Sequence, residues 1–218
     1  IEDYLCTLYM NGQIYSDYNL INTGQHKYEV FVNVPNLESI REKYNNEYVN
    51  RSYKHLVVQI KEMGKNILYD PNCNCETAPY YILFTTSEIG TSSPLICGKC
   101  GNETPLYKIP YLFGEQEHLT LINYQKTYAS VHELYMQSLS DRFTKNQLVN
   151  PNSSLNKRAF EIRKELENKI KKPVYLSLSR FFLISDRDKK KINNDKCPKC
   201  GKTLIECDDQ IGLVKMFR

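Results

Sequence analysis

A chain of 218 residues is long enough for one sizeable core or two modest units, and 41% hydrophobic with 25% charged content is ordinary globular composition, for which disorder is not the default. The 29 basic and 25 acidic residues leave a net charge of +4, which permits an anionic partner without demanding one. The apolar runs near residues 80–84 and 181–184 fall well short of the roughly 20 residues that span a bilayer, and no apolar leader precedes them, so the chain reads as cytoplasmic with no membrane partner.

Ile1, Tyr4, Leu5, Leu8 and Tyr9 recur at one helical face, and Asn11-Gly12 supplies a stop, which predicts an opening helix. Residues 13–20 and 27–34 alternate and favour β geometry, with Asn22, Thr23 and Gly24 as the turn between them. After Pro35, a broken helical period runs from Leu37 to Ile60 and closes at Gly64; residues 66–69 are short enough for an edge strand. Residues 1–70 thus read as an α+β unit.

Residues 71–110 change character, with clustered cysteines around the strand-like run at residues 80–85. Residues 131–139 fit a short helix. Ser153 or Ser154 can cap a longer one, in which Leu155, Ala159, Ile162, Leu166 and Ile170 line a single face until Pro173 ends it. Residues 174–183 alternate as a strand, and residues 185–196 are charged and lack apolar anchors, as in a linker. The resulting organisation is an α+β unit at 1–70, a cysteine-bearing insert at 71–110, a helical segment and strand completing the body at 111–184, and a linker into a terminal Cys-x-x-Cys turn at 185–218. The expected fold class is α+β, an antiparallel sheet with packed helices.

The eight cysteines carry the most specific signal. In Cys97-Gly98-Lys99-Cys100-Gly101 a two-residue spacing lets both sulfurs face one ion, and the closing glycine accepts the positive φ such a knuckle needs. Cys73-Asn74-Cys75 is separated from it by 21 residues, a distance that suits two turns joined by a short hairpin. Together Cys73, Cys75, Cys97 and Cys100 predict a rubredoxin-like cage for a structural zinc ion, in a reducing compartment. A thioredoxin-type dithiol at Cys97 and Cys100 is the competing reading, but Gly101-Asn102 followed by Pro105 argues for a turn rather than a helix start; buried, merely apolar cysteines are a third. Cys197-Pro198-Lys199-Cys200-Gly201 is an equally good knuckle with no partner pair of its own, so a second zinc site needs ligands beyond Arg218; Cys207 lies too far from Cys200 for knuckle spacing.

These residues, with Ser93-Pro94-Leu95, Pro105-Leu106-Tyr107-Lys108-Ile109-Pro110, Asn11-Gly12-Gln13-Ile14, the residues from Tyr44 to Asn50, Asn152-Ser153-Ser154-Leu155 and Lys172-Pro173, resemble the bacterial DUF2310 family of zinc-ribbon-containing proteins. The resemblance spans nearly the whole chain. It implies a terminal ribbon with a closing Cys-x-x-Cys where this sequence stops, so that the sequence reads as a fragment and Cys197 and Cys200 as ligands in the intact product. It also implies either nucleic-acid binding or the company of polymorphic toxins.

Catalytic sets are lacking in the sequence. His132-Glu133-Leu134-Tyr135-Met136 starts like a zinc-protease helix but has methionine where the second histidine must stand, and His26, His55, His118 and His132 read as surface or capping side chains. No nucleophile elbow or phosphate loop occurs, and no small-molecule substrate is indicated. Lys157, Arg158, Arg163, Lys164, Lys169, Lys171 and Lys172, with Lys189, Lys190 and Lys191, could form a phosphate-contacting stripe, yet Glu161, Glu165 and Glu167 interrupt it. The 17 tyrosines, several beside Asn45, Asn46 and Asn50, suit a protein interface as well as a sheet rim. The leading expectation is a non-enzymatic immunity protein that occludes a cognate protein toxin; the alternative is a zinc-ribbon protein that binds nucleic acid.

Overall fold

The computed structural model describes residues 1–64, 72–85 and 93–177, and the backbone of two strands, Glu206–Ile211 and Val214–Phe217. The edge strand expected at residues 66–69, the linker at 185–196 and the knuckle residues Cys197 and Cys200 lie outside the described residues.

The opening helix is α1, Glu2–Met10, which buries Leu5 and Leu8 and carries Glu2 and Asp3 in its first turn, where the helix dipole favours negative charge. Gly12 ends it at φ 73°, and a Cβ there would lie 2.3 Å from the Cβ of Leu106, so both conformation and close approach require glycine. Strands β1 (Tyr18–Gly24) and β2 (Lys27–Val32) form the expected antiparallel hairpin, with Tyr18 opposite Val32 and Leu20 opposite Val30.

Two details of that hairpin depart from expectation. The strand begins at Tyr18 rather than at residue 13, because Gln13 is buried and donates to the Ser39 carbonyl at 2.8 Å and to Asn45 Oδ1 at 3.0 Å. The turn falls at Gln25 and His26, with His26 at φ 61°; Asn22-Thr23-Gly24 stays in the strand, where Asn22 Oδ1 accepts from the Gly24 amide at an irregular register.

The interrupted helix between residues 37 and 60 shrinks to a 3-10 turn, Glu42–Tyr44, and α2, Glu47–Tyr53, capped by Asn46 Oδ1 accepting from the Val49 amide at 2.9 Å. The β-branched Val57 and Val58 follow, and residues 56–64 carry no helix. Val49 joins Leu5, Leu8 and Ile14 in an N-terminal cluster against which Val30, Val32 and Ile40 pack.

The larger core lies between a three-stranded sheet and three helices. Strand β3 (Tyr81–Leu83) pairs antiparallel with β4 (Leu95–Cys97) and parallel with β5 (Val174–Leu176), in the order β4-β3-β5. The expected antiparallel sheet is therefore several small sheets, the central one mixed. Helix α3 (Leu119–Met136) runs 18 residues, opening 12 positions before the short helix expected at 131, and α4 (Asp141–Val149) was not anticipated. Helix α5 (Ser154–Ile170) follows the expected face, burying Leu155, Ala159, Ile162 and Leu166, and Ser153 Oγ accepts from the Asn156 amide at 3.2 Å. It stops at Lys171, φ 58°, ahead of Pro173. Leu83, Leu95 and Val174 from the sheet and Leu121, Leu148 and Ile162 from the helices form one cluster.

Strands β6 (Glu206–Ile211) and β7 (Val214–Phe217) pair antiparallel, Glu206 opposite Phe217. Among the described residues no helix is long and apolar enough to cross a membrane.

Candidate metal centre

The site sits where β4 leaves the central sheet. Cys97, its last residue, stands opposite Tyr81, and the chain then turns through residues 98–101 and runs back, so that Cys97 N–H donates to the Asn102 carbonyl at 2.8 Å and Thr104 N–H to the Leu95 carbonyl at 2.7 Å. Gly101 N–H donates to the Cys97 carbonyl at 2.9 Å, and Gly101 takes the expected positive φ, 75°. The other arm comes in from the far side: Cys73 N–H donates to the Glu103 carbonyl at 2.6 Å, Asn72 shares hydrogen bonds with the Tyr15 hydroxyl at 2.9 and 3.1 Å, and Lys108 Nζ donates to the Cys73 carbonyl at 3.3 Å. Both arms are thus fixed by backbone pairing to one strip, residues 102–104.

This brings Cys73, Cys75, Cys97 and Cys100 together, with the four sulfurs all within 4.8 Å of one another. Tetrahedral coordination at about 2.3 Å per bond sets sulfurs roughly 3.8 Å apart, so the group needs only small side-chain rotations to close on an ion. None of the four is oxidised to a disulfide. Cys73 and Cys97 are buried, at 4% and 0% exposure, while Cys75 is half-buried and Cys100 exposed. Cys73 Sγ accepts from the Cys75 amide at 3.3 Å and Cys97 Sγ from the Lys99 amide at 3.4 Å, the amide-to-sulfur pattern expected of such turns.

The electrostatics also ask for a cation. Burial pushes the Cys73 thiol above its ordinary range, and partial desolvation on the inner side of the otherwise exposed Cys100 raises that thiol too. Cys97 is buried too, but the amides of Cys100 and Lys99 and the neighbouring thiols outweigh burial and hold it below that range. Four thiolates packed this closely repel one another and become stable together only around a positive ion. The soft, four-sulfur donor set fits zinc.

The histidines fall elsewhere. His26 and His55 are exposed as expected, but His118 and His132 are buried, contrary to the surface or capping reading. His118 opens α3 without capping it, because its ring lies against Tyr111, centroids 4.8 Å apart, and its Nδ1 has no hydrogen-bond partner. His132 lies beside Tyr128 within the same helix, ring centroids 6.2 Å apart. The buried amide network of Asn11 and Gln13, which reaches the Tyr44 carbonyl, Asn45 and Ser39, went unread in the sequence beyond its motif; amide-rich Asn11-Gly12-Gln13 facing Tyr44-Asn45-Asn46 was its only signal.

Fold and site together define a mixed α+β protein with a four-cysteine cluster able to hold a metal ion. Residues 75–179 match a family described as a domain of unknown function, DUF2310, in support of the resemblance read from the sequence. The matched segment holds Cys75, Cys97, Cys100 and all three strands of the central sheet, and begins two residues after Cys73. Comparison with curated proteins and with solved structures gives no match.

Proposed function

We propose that the chain is a non-catalytic, zinc-stabilised bacterial immunity protein that binds a cognate toxin domain and covers its active site. The observation that carries the non-catalytic part is the donor count: cysteine fills all four positions of a tetrahedral ion, leaving none for water or substrate, as in structural rather than catalytic zinc sites. When bound, zinc would supply cross-linking, tying residues 73–75 to the knuckle at 97–100. Lys108 holds the Cys73 carbonyl from outside the cage and adds positive charge beside a cluster that is negative when metallated.

A protein partner is favoured by the outer face of the hairpin. Ile21 and Phe31, 47% and 44% exposed, lie on the side opposite Leu20 and Val30 and are diagonal neighbours across the β1–β2 pair. Apolar side chains so placed suit a binding surface. The nucleic-acid reading draws less support, since Arg158 pairs with Glu161 and Arg163 with Glu167, each at 3.1 Å, and Lys172 is committed to the Ala78 carbonyl.

Co-expression with the product of a toxin gene adjacent to this one tests the proposal. We expect a stable complex and survival of the host, both lost in the double variant Ile21→Asp/Phe31→Asp. A chain that neither binds nor protects, yet binds DNA or RNA with an affinity falling steeply as salt rises, would replace this reading with the alternative.

A further inference from the structure

The four sulfurs are not equivalent. Cys73 and Cys97 are sealed at 4% and 0% exposure, and their sulfurs accept backbone amides. Cys100 is exposed, Cys75 half-buried, and both line one open cavity of about 530 Å³ with Asn74, Glu76, Lys99 and Asn102. The cage has a buried pair, one sulfur from each turn, and a pair facing solvent, again one from each turn.

From this asymmetry we infer that Cys75 and Cys100 form an oxidisable edge, through which peroxide opens the cage and releases the ion. This rests on the metal-binding reading above and adds a modification site to it. The Cys100 thiolate attacks peroxide, forming an S–O bond as the O–O bond breaks, and the departing hydroxide takes a proton from solvent. The Cys75 thiolate then attacks the oxidised sulfur, forming the S–S bond as the S–O bond breaks, with a second hydroxide protonated by solvent. Two thiolates lose two electrons, and one peroxide becomes two waters. The sulfurs already lie within 4.8 Å, so side-chain rotation toward the roughly 2 Å of a disulfide suffices, and the cavity gives the moving side chains room. Cys73 and Cys97 remain as half a cage, which does not hold zinc tightly.

The test treats the zinc-loaded full chain with hydrogen peroxide, follows zinc with a chromophoric chelator and maps cysteines by peptide mass spectrometry. Cys6, exposed and outside the cage, serves as the reference thiol. We expect zinc to leave in step with a Cys75–Cys100 cross-linked peptide, Cys73 and Cys97 to stay reduced, and thiol reductant with zinc to reverse both changes. The variant Cys100→His keeps four donors; zinc release from it should slow by roughly tenfold or more, as the attacking sulfur is gone. Should that variant not load zinc, the peptide map of the native chain decides alone. A chain isolated without zinc sinks the metal reading itself. A chain that holds zinc but links Cys97 to Cys100, or oxidises all four at one rate, overturns only this inference.

Discussion

The Gly98 amide donates to the Tyr80 carbonyl at 2.9 Å, and a Cβ built on Gly98 would lie 2.4 Å from the Tyr80 ring and 2.7 Å from that same carbonyl oxygen. The knuckle therefore rests directly on the start of β3, and the glycine after the first cysteine is there for space.

Gly98→Ala should accordingly push the knuckle off the sheet. Overpacking of this kind costs about 1–3 kcal/mol, and part of it should appear as weaker metal binding because the displaced residue lies between two ligands. Urea unfolding and competitive zinc titration check both; an unchanged variant would mean that the turn moves freely.

Removing one buried ligand is more severe than crowding the turn. Cys97→Ser, at a fully buried position, should abolish tight zinc binding and lower the melting temperature to that of the chelator-treated native chain. Elemental analysis with calorimetry reads both, and a variant that keeps its zinc would show that three thiolates suffice.

Gln13 joins α1 to the loop ahead of α2 through Ser39 and Asn45, and Asn11 does so through the Tyr44 carbonyl. Gln13→Ala strands the Ser39 carbonyl in a buried site and should cost about 1–3 kcal/mol, read from the urea midpoint. Gly12→Ala should cost at least as much, since it meets both a positive φ and the Leu106 side chain. A near-neutral Gln13→Ala would mean that α1 and the loop barely depend on these bonds, and a near-neutral Gly12→Ala that Leu106 gives way.

Burial lowers the pKa of His118 to about 4, against 6.5 in an unfolded chain. Between those values the unfolded chain takes up a proton that the folded one refuses. The contribution is therefore complete above pH 6.5 and is lost as pH falls toward 4, by about 3 kcal/mol in all. Because acid also strips thiolates of metal, the readout is the difference between native chain and His118→Gln at each pH. The variant should show the shallower fall in stability below pH 6.5; parallel curves would mean that His118 is protonated as readily folded as unfolded.

Where residues announced themselves locally, the sequence was a good guide. Both turns of the cage follow from ligand spacing and one glycine, and α5 follows from a clean apolar face with a serine cap. The start of α3 was hidden because its buried face includes Thr120, Tyr124, Tyr128 and His132, which do not register as an apolar stripe. Helix α4 was concealed further: it buries only Thr144 and Leu148, while Phe143 points outward at 55% exposure. The hairpin turn was misplaced because Asn22 and Gly24 have turn chemistry, whereas the residue in the left-handed region is His26. The split of the cage into sealed and open sulfurs was illegible, since burial of Cys97 depends on Tyr81 and Ala78, which reach it only through pairing of β3 and β4.

The most direct measurement is cobalt substitution of the double variant Cys197→Ser/Cys200→Ser. One ion per chain is expected, with thiolate-to-cobalt charge transfer and the d–d bands of tetrahedral four-sulfur coordination. A variant that binds no cobalt, or binds it with a spectrum showing fewer than four sulfurs, would contradict convergence of Cys73, Cys75, Cys97 and Cys100 on a single ion.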